Sequence, residues 1–499
     1  MMDVISPNYL EKTISSSWMF ANAAKWVPSA PYCGLFWEGG NHGKERNETG
    51  HYWRRARILG DSNDAAIHMV HTAPLDYMAC DYLAELTLSI MQRQKLKNPA
   101  AGYARDFIGL MNRIAVEAYE KKIGILTNAG GMNIEGCVSA LEKLASDKGM
   151  SGYKIGYVLG DDIKDQIPAL LAQGVKFENM DDAGEFKDIQ DKILNVNVYH
   201  GHEPILQCLE MGANTVITGR ATDSALFLAP VMHKLGWAPD DWDHLARGIM
   251  VGHLLECGGQ GAGGNYQYDW RGVPRMDELG FPIAEISDNE FFVTKAPDCG
   301  GIICPQSVKE QFLYEVHDPA NYITPDVNVD ISHARIESAG PDRVMIDGIR
   351  GNPRPDQLKL CIGYHAGWKV VTYLSFAWPD AYEKAQYAAE ILMKKMKRKN
   401  MQARDIHISY VGLNALHLGV ADMSQAKDIN EVVLRIAVRA DEKSDVEKLI
   451  PEISPLQLNG PPGASFFGGR AKAQEVIGLW PTFVLRDAVN LTSHILEVK

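Results

Sequence analysis

From about residue 56, short apolar runs alternate with longer stretches whose apolar positions recur every three or four residues. The runs at 57–60, 77–81, 123–127, 153–159, 195–199 and 215–218 read as strands. The stretches 84–97, 105–121, 134–147 and 244–257 read as helices, and Pro204 opens another that carries Ile205, Leu206, Leu209 and Met211. Strand-then-helix units predict a mostly parallel sheet flanked by helices. The acidic, aperiodic segment 177–192 favours an open sheet over a closed barrel.

Beyond residue 266 the pattern changes. Runs at 291–295, 327–336, 343–349, 358–376, 407–411, 431–439 and 482–486, separated by Gly, Asn, Pro and Asp turns, predict antiparallel strands. Helices are expected at 380–399, which ends in the basic run KKMKRK, and at 443–450. The reading is therefore an N-terminal arm (1–55), an α/β domain (56–265) and an α+β domain (266–499).

Polar residues gather where the predicted parallel strands end. In open α/β sheets ligands lie outside the carboxyl ends of the strands. Gly60 and Asp61 follow the first strand, Asp81 and Glu85 the second, and Asn128, Gly130, Gly131 and Asn133 the third. Adjacent glycines before a helix let a ligand approach the backbone closely, although a tight turn needs them equally. His200, His202 and Glu203 follow the fifth expected strand, and Arg220 and Asp223 the sixth. Arg220 suits bidentate capture of a carboxylate or phosphate, with an internal pair to Asp223 as the alternative. His253, Glu256 and Cys257 share one side of a helix, which is followed by the glycine-rich segment 258–264 containing Gln260. These residues read as substrate ligands (Gly60, Asp61, Asp81, Glu85, Asn128, Gly130, Gly131, Asn133, Arg220, Gln260) and as proton-handling groups (Glu203, Asp223, His253, Glu256).

Composition narrows the partners. A formal charge of -13 over 499 residues argues against nucleic acid or an anionic membrane as the main partner. Eight scattered cysteines without CxxC spacing fit reduced, buried thiols, and the opening residues lack a signal pattern, so a cytoplasmic protein is expected. No HExxH, dinucleotide or P-loop motif is present, so no residues are assigned to a metal and the cofactor stays unknown, with none evident; coenzyme A as part of a substrate is compatible with the sequence. The aromatic-rich arm suggests a homo-oligomer.

The runs DYLAELTLSIMQRQ, ILTNAGGMN, TGRATDSALFLAPVMHKLGW, VGHLLECGGQGAGG and PDQLKLCIGY, in that order, resemble the acyclic terpene utilisation protein AtuA family. The resemblance implies a role in catabolism of acids handled as coenzyme A thioesters, and it carries over to Asp81, Glu85, Asn128, Gly130, Glu203, Arg220, Asp223, His253, Glu256 and Gln260. One departure is the first loop: relatives open with a glycine-rich element where this chain reads ILGDSND.

The leading expectation is a lyase-type enzyme, a hydratase or dehydratase acting on an acyl-CoA thioester or hydroxy acid. Its site would lie between the two domains, roofed by 258–264 and fed by 128–133. The alternatives are a non-catalytic subunit completed by a small partner protein, and a metal-dependent hydrolase using Asp223 and His253.

Overall fold

A computed structural model describes residues 63–499 together with the backbone of 51–56. The arm, and with it Gly60, Asp61 and the strand expected at 57–60, lies outside the described residues apart from that backbone segment. The first half of the chain forms β1 (His51–Ala56), α1 (Asp64–Thr72), β2 (Tyr77–Cys80), α2 (Glu85–Lys97), α3 (Arg105–Glu120), β3 (Gly124–Thr127), α4 (Ile134–Asp147), β4 (Lys154–Leu159), α5 (Ile167–Ala172), β5 (Ile193–Val198), α6 (Glu203–Glu210), β6 (Thr215–Ile217), α7 (Ala225–Leu235) and α8 (Trp242–Glu256). There follow β7 (Pro282–Ile286), β8 (Phe291–Lys295), α9 (Pro305–Phe312), β9 (Tyr322–Ile323), β10 (Asn328–Asp330), β11 (Arg335–Ser338), β12 (Arg343–Asp347) and β13 (Arg350–Asn352). The chain ends with β14 (Gln357–Ala377), α10 (Ala381–Arg398), β15 (Asp405–Val411), β16 (Glu431–Ala440), α11 (Lys443–Glu447), β17 (Ser465–Phe466), β18 (Gln474–Leu485) and β19 (Thr492–Glu497).

The central sheet has the order β11-β12-β8-β7-β1-β2-β3-β6-β4-β19. β1, β2, β3, β6 and β4 run parallel, whereas β7 joins β1, and β19 joins β4, antiparallel. The sheet is open, as the aperiodic segment suggested. Successive residues of each parallel strand feed opposite cores. Ala79, Leu126, Val158 and Val216 pack with α6, α7 and α8, while Met78, Ile125, Ile155 and Ile217 pack with α1, α3 and α4. Burial on both faces is why these strands read as unbroken apolar runs. In α3, Phe107, Leu110, Met111, Ile114 and Ala118 are buried, the stripe that its spacing predicts.

Strand β5 departs from expectation. It leaves the parallel sheet and pairs antiparallel with β14 in a second, antiparallel sheet. Its residues explain the choice: Val196 and Val198 face one way, Asn195 and Asn197 the other, which is the signature of a strand with one apolar face. The 21-residue β14 is the spine of this second sheet, flanked by β5 and β18 along its first half and by β16 and β17 along its second. Both sheets thus draw strands from either side of residue 266, and Thr49–Lys499 form one contact unit.

Smaller differences follow from turns. The run 327–336 divides into β10 and β11 around a Ser332 turn held by Asp330, and β18 begins eight residues before the strand expected at 482. The basic end of α10 is partly paired, with Lys395 and Lys399 both reaching Glu452. No helix among the described residues is long and apolar enough to cross a membrane.

Candidate functional site

Arg220 sits just past β6, at the carboxyl edge of the parallel strands, and is buried. Its backbone N–H donates to the Asp161 carboxylate at 2.7 Å. Asp161 also accepts from Asn197 of β5 at 2.9 Å, so one buried carboxylate ties the end of β6 to the second sheet. Burial pushes the Asp161 carboxyl above the usual range, and these donors work against that rise. The Arg220 guanidinium donates to the carbonyl of Leu83 at 2.6 Å, pairs with Asp223 at 3.1 Å and lies 4.1 Å over the Tyr199 ring. Its Nε has no hydrogen-bond partner among the described residues.

Glu85, at the start of α2, and Lys359 of β14 close the same group. Lys359 Nζ lies 3.4 Å from Glu85 and 4.8 Å from the Tyr199 ring centroid. Burial would raise the Glu85 carboxyl, but Arg220, the Tyr199 phenol and Lys359 outweigh it and hold it at about 2. Burial drives the Tyr199 phenol well above its ordinary value. The Cys361 thiol, beside Glu85, is likewise pushed up to about 11 by burial. Asp81 accepts from Asn128 Nδ2 at 2.6 Å and from the Leu83 N–H at 3.0 Å; Asn128 in turn accepts from the Tyr82 N–H at 2.7 Å. These bonds shape the 81–85 turn whose carbonyl holds Arg220.

A second arm of the cluster runs through Asp223 to the end of α8. This helix is buried almost all round, and Gly252 admits α7 so closely that a Cβ would fall 2.7 Å from Ser224 Cα. His253 Nδ1 lies 3.4 Å from Glu256, neither ring nitrogen has a hydrogen-bond partner among the described residues, and its ring centroid is 5.5 Å from that of Tyr322. Burial, with Glu256 and Asp223 close by, raises the Tyr322 phenol well above its ordinary value. Tyr322, Tyr199 and Lys359 were not singled out from the sequence. Tyr199 ends a strand already marked, but Tyr322 sits on a two-residue strand with no pattern to reveal it.

Other expected ligands have internal duties. The N–H groups of residues 129–133 are all bonded within the protein, and a Cβ at Gly130 or Gly131 would meet Thr218 O at 2.6 Å or Met91 Sδ at 2.3 Å. This loop therefore presents closed turn geometry rather than an anion nest. Asn133 caps α4 and holds the carbonyls of Pro99 and Ala101. Glu203 pairs at 2.6 Å with Arg354 near the surface. Gln260 donates to Gln311, which donates to the His253 carbonyl, so it braces α8. The segment 258–264 is not a loose roof: Gly258–Ala262 form a short helical turn, with Gly259 against Leu279.

Among the described residues, no three His, Cys, Asp or Glu side chains come together as ligands for a metal ion. The acyclic terpene utilisation family protein AtuA matches residues 55–495. The chain belongs to the AtuA family. No curated protein and no solved structure matches it. The AtuA match spans both sheets, so every member of the Arg220 cluster falls inside it.

Proposed function

We propose that this AtuA-family chain is a catabolic lyase, a hydratase or dehydratase whose substrate is an acyl thioester. The observation that carries the reading is the buried Arg220 guanidinium, with an unused Nε donor, amid Asp81, Glu85 and Asp223. Three carboxylates face two cations, Arg220 and Lys359. A further anion would meet a field already offset, whereas a neutral carbonyl oxygen needs only the donor. This balance favours a thioester carbonyl over a hydroxy acid's carboxylate.

A donor on that oxygen stabilises negative charge developing there when a proton leaves the adjacent carbon. Glu256 and Asp223 flank the Tyr322 phenol and are the groups suited to proton transfer. In dehydration one takes the α-proton, the other protonates the departing β-hydroxyl, and water leaves; hydration reverses both transfers. His253, with Nδ1 3.4 Å from Glu256, lies beside that carboxylate. The family's description, acyclic terpene utilisation, supports a catabolic substrate with a hydrocarbon chain.

The test is turnover of 3-hydroxyacyl and 2-enoyl thioesters by the full chain. Glu256→Gln should lose activity by about a hundredfold or more while melting near the wild type, and Arg220→Gln should lose it as well, with a lowered melting temperature because Asp223 and Glu85 are left without their buried partner. Full activity in both variants would discard the reading.

A further inference from the structure

The sheet formed by β5, β14 and β18 has two unlike faces. Even-numbered residues (Leu358, Leu360, Ile362, Val196, Val198, Val484) are buried in an apolar core with Trp480. Odd-numbered positions face the other way, and on β5 and β14 they are mostly polar or part of the site: Asn195, Asn197, Lys359 and Cys361. β18 breaks this rule. On its odd positions it carries Leu479, Phe483 and Leu485, which are 40%, 43% and 56% exposed.

Register places these residues with respect to the site. Phe483 is the direct cross-strand partner of Lys359, and Leu485 that of Gln357. Directly opposed side chains on one face stand about 5 Å apart at Cβ. An exposed aromatic ring therefore borders the lysine that contacts Glu85, and a leucine continues the apolar strip about 7 Å further along the strand. Single exposed apolar side chains are common, but neighbouring ones in a row on an otherwise polar face, rimmed by polar groups, mark a place where something apolar binds.

We infer that Phe483 and Leu485 form the binding strip for the hydrocarbon tail of the acyl group, making them specificity-determining residues for a chain of medium length. This rests on the acyl-thioester reading of the Arg220 cluster. The carbonyl end lies at Arg220, and the tail passes Lys359 to lie across Phe483 and Leu485. A strip open to solvent accepts straight and branched chains alike, and it rewards length.

The experiment is calorimetric titration of the full chain with butanoyl-, octanoyl- and dodecanoyl-CoA, using wild type, Arg220→Gln and the double variant Phe483→Asp/Leu485→Ser. Both strip positions are exposed, so the double variant should keep the wild-type melting temperature. Wild-type affinity should rise on the order of tenfold from four to eight carbons, given half-buried methylenes. The double variant should bind butanoyl-CoA as the wild type does and lose the dependence on length. A flat wild-type series, a double variant that keeps the dependence, or a series in which nothing binds overturns the inference. A flat series whose binding is lost in Arg220→Gln removes the strip alone and leaves the acyl-thioester reading standing.

Discussion

Gly219 and Asp161 meet where a side chain cannot fit: a Cβ on Gly219 would lie 2.4 Å from both oxygens of the Asp161 carboxylate. That carboxylate holds the backbone of Arg220 and the side chain of Asn197, so the contact joins the parallel sheet to the antiparallel one at the candidate site. Gly219→Ala must therefore displace a buried carboxyl group that two donors hold in place. The expected cost is about 2–4 kcal/mol of stability, measured by urea denaturation. Binding that depends on Arg220 should fall with it, since the guanidinium is aimed by the same carboxylate.

His200 gives a pH signature. Its Nδ1 lies 2.8 Å from the Gly201 carbonyl, which requires Nδ1 to donate and leaves Nε2 as the unprotonated nitrogen of the neutral ring. Burial lowers its pKa from 6.5 to about 4. The folded state therefore resists a proton that the unfolded state accepts, and the stability His200 contributes is full above pH 6.5 and declines as pH falls toward 4. Asp162, raised to about 6 mainly by burial, works in the opposite sense, losing stability as pH rises through that value. Comparing wild type with His200→Asn cancels the Asp162 effect. The stability gap should shrink between pH 6.5 and 4 by on the order of 3 kcal/mol. A gap independent of pH would contradict the neutral buried ring.

The parallel strands and their helices were legible because burial on both faces leaves an unbroken apolar run, and helices such as α3 carry a full stripe. β5 was legible as a strand but not in its partner. Its Asn195 and Asn197 already announced a one-faced strand, yet the sequence neighbours on either side belong to the parallel sheet. Arg220, Asp223, Glu85 and Asp81 could be found from strand ends because an open sheet gathers its polar ends on one edge. Lys359 could not. It comes from an antiparallel strand 274 residues from Glu85, and no local period records that approach. The glycines at 130 and 131 misdirect in the other direction, since close approach of Thr218 and Met91 uses the same residue type as close approach of a ligand.

Tyr322 offers a test of the α8 end of the cluster. Its ring adjoins His253, and burial, followed by the charges of Glu256 and Asp223, raises its phenol well above the ordinary value. Tyr322→Phe keeps the ring packing and removes one hydroxyl. Turnover of a 3-hydroxyacyl thioester should drop at least tenfold, with the melting temperature within a few degrees of wild type. Unchanged turnover would make Tyr322 a packing residue only.

Glu85 decides between a neutral and an anionic ligand. Its carboxyl, held at about 2 chiefly by Arg220 against the opposing effect of burial, offsets the guanidinium at neutral pH. Because its folded value lies below the ordinary 4.5, its stabilising effect is complete above about pH 4.5 and is lost as pH falls toward 2. Glu85→Gln keeps the shape and removes the charge, leaving Arg220 and Lys359 facing one carboxylate fewer. That variant should bind free butanoate several-fold more tightly than wild type does, while its affinity for butanoyl-CoA changes little. Titration of both ligands into both proteins reads the difference directly. If wild type already prefers butanoate, the guanidinium is not neutralised by its neighbours, and the site is built for a carboxylate rather than a thioester carbonyl.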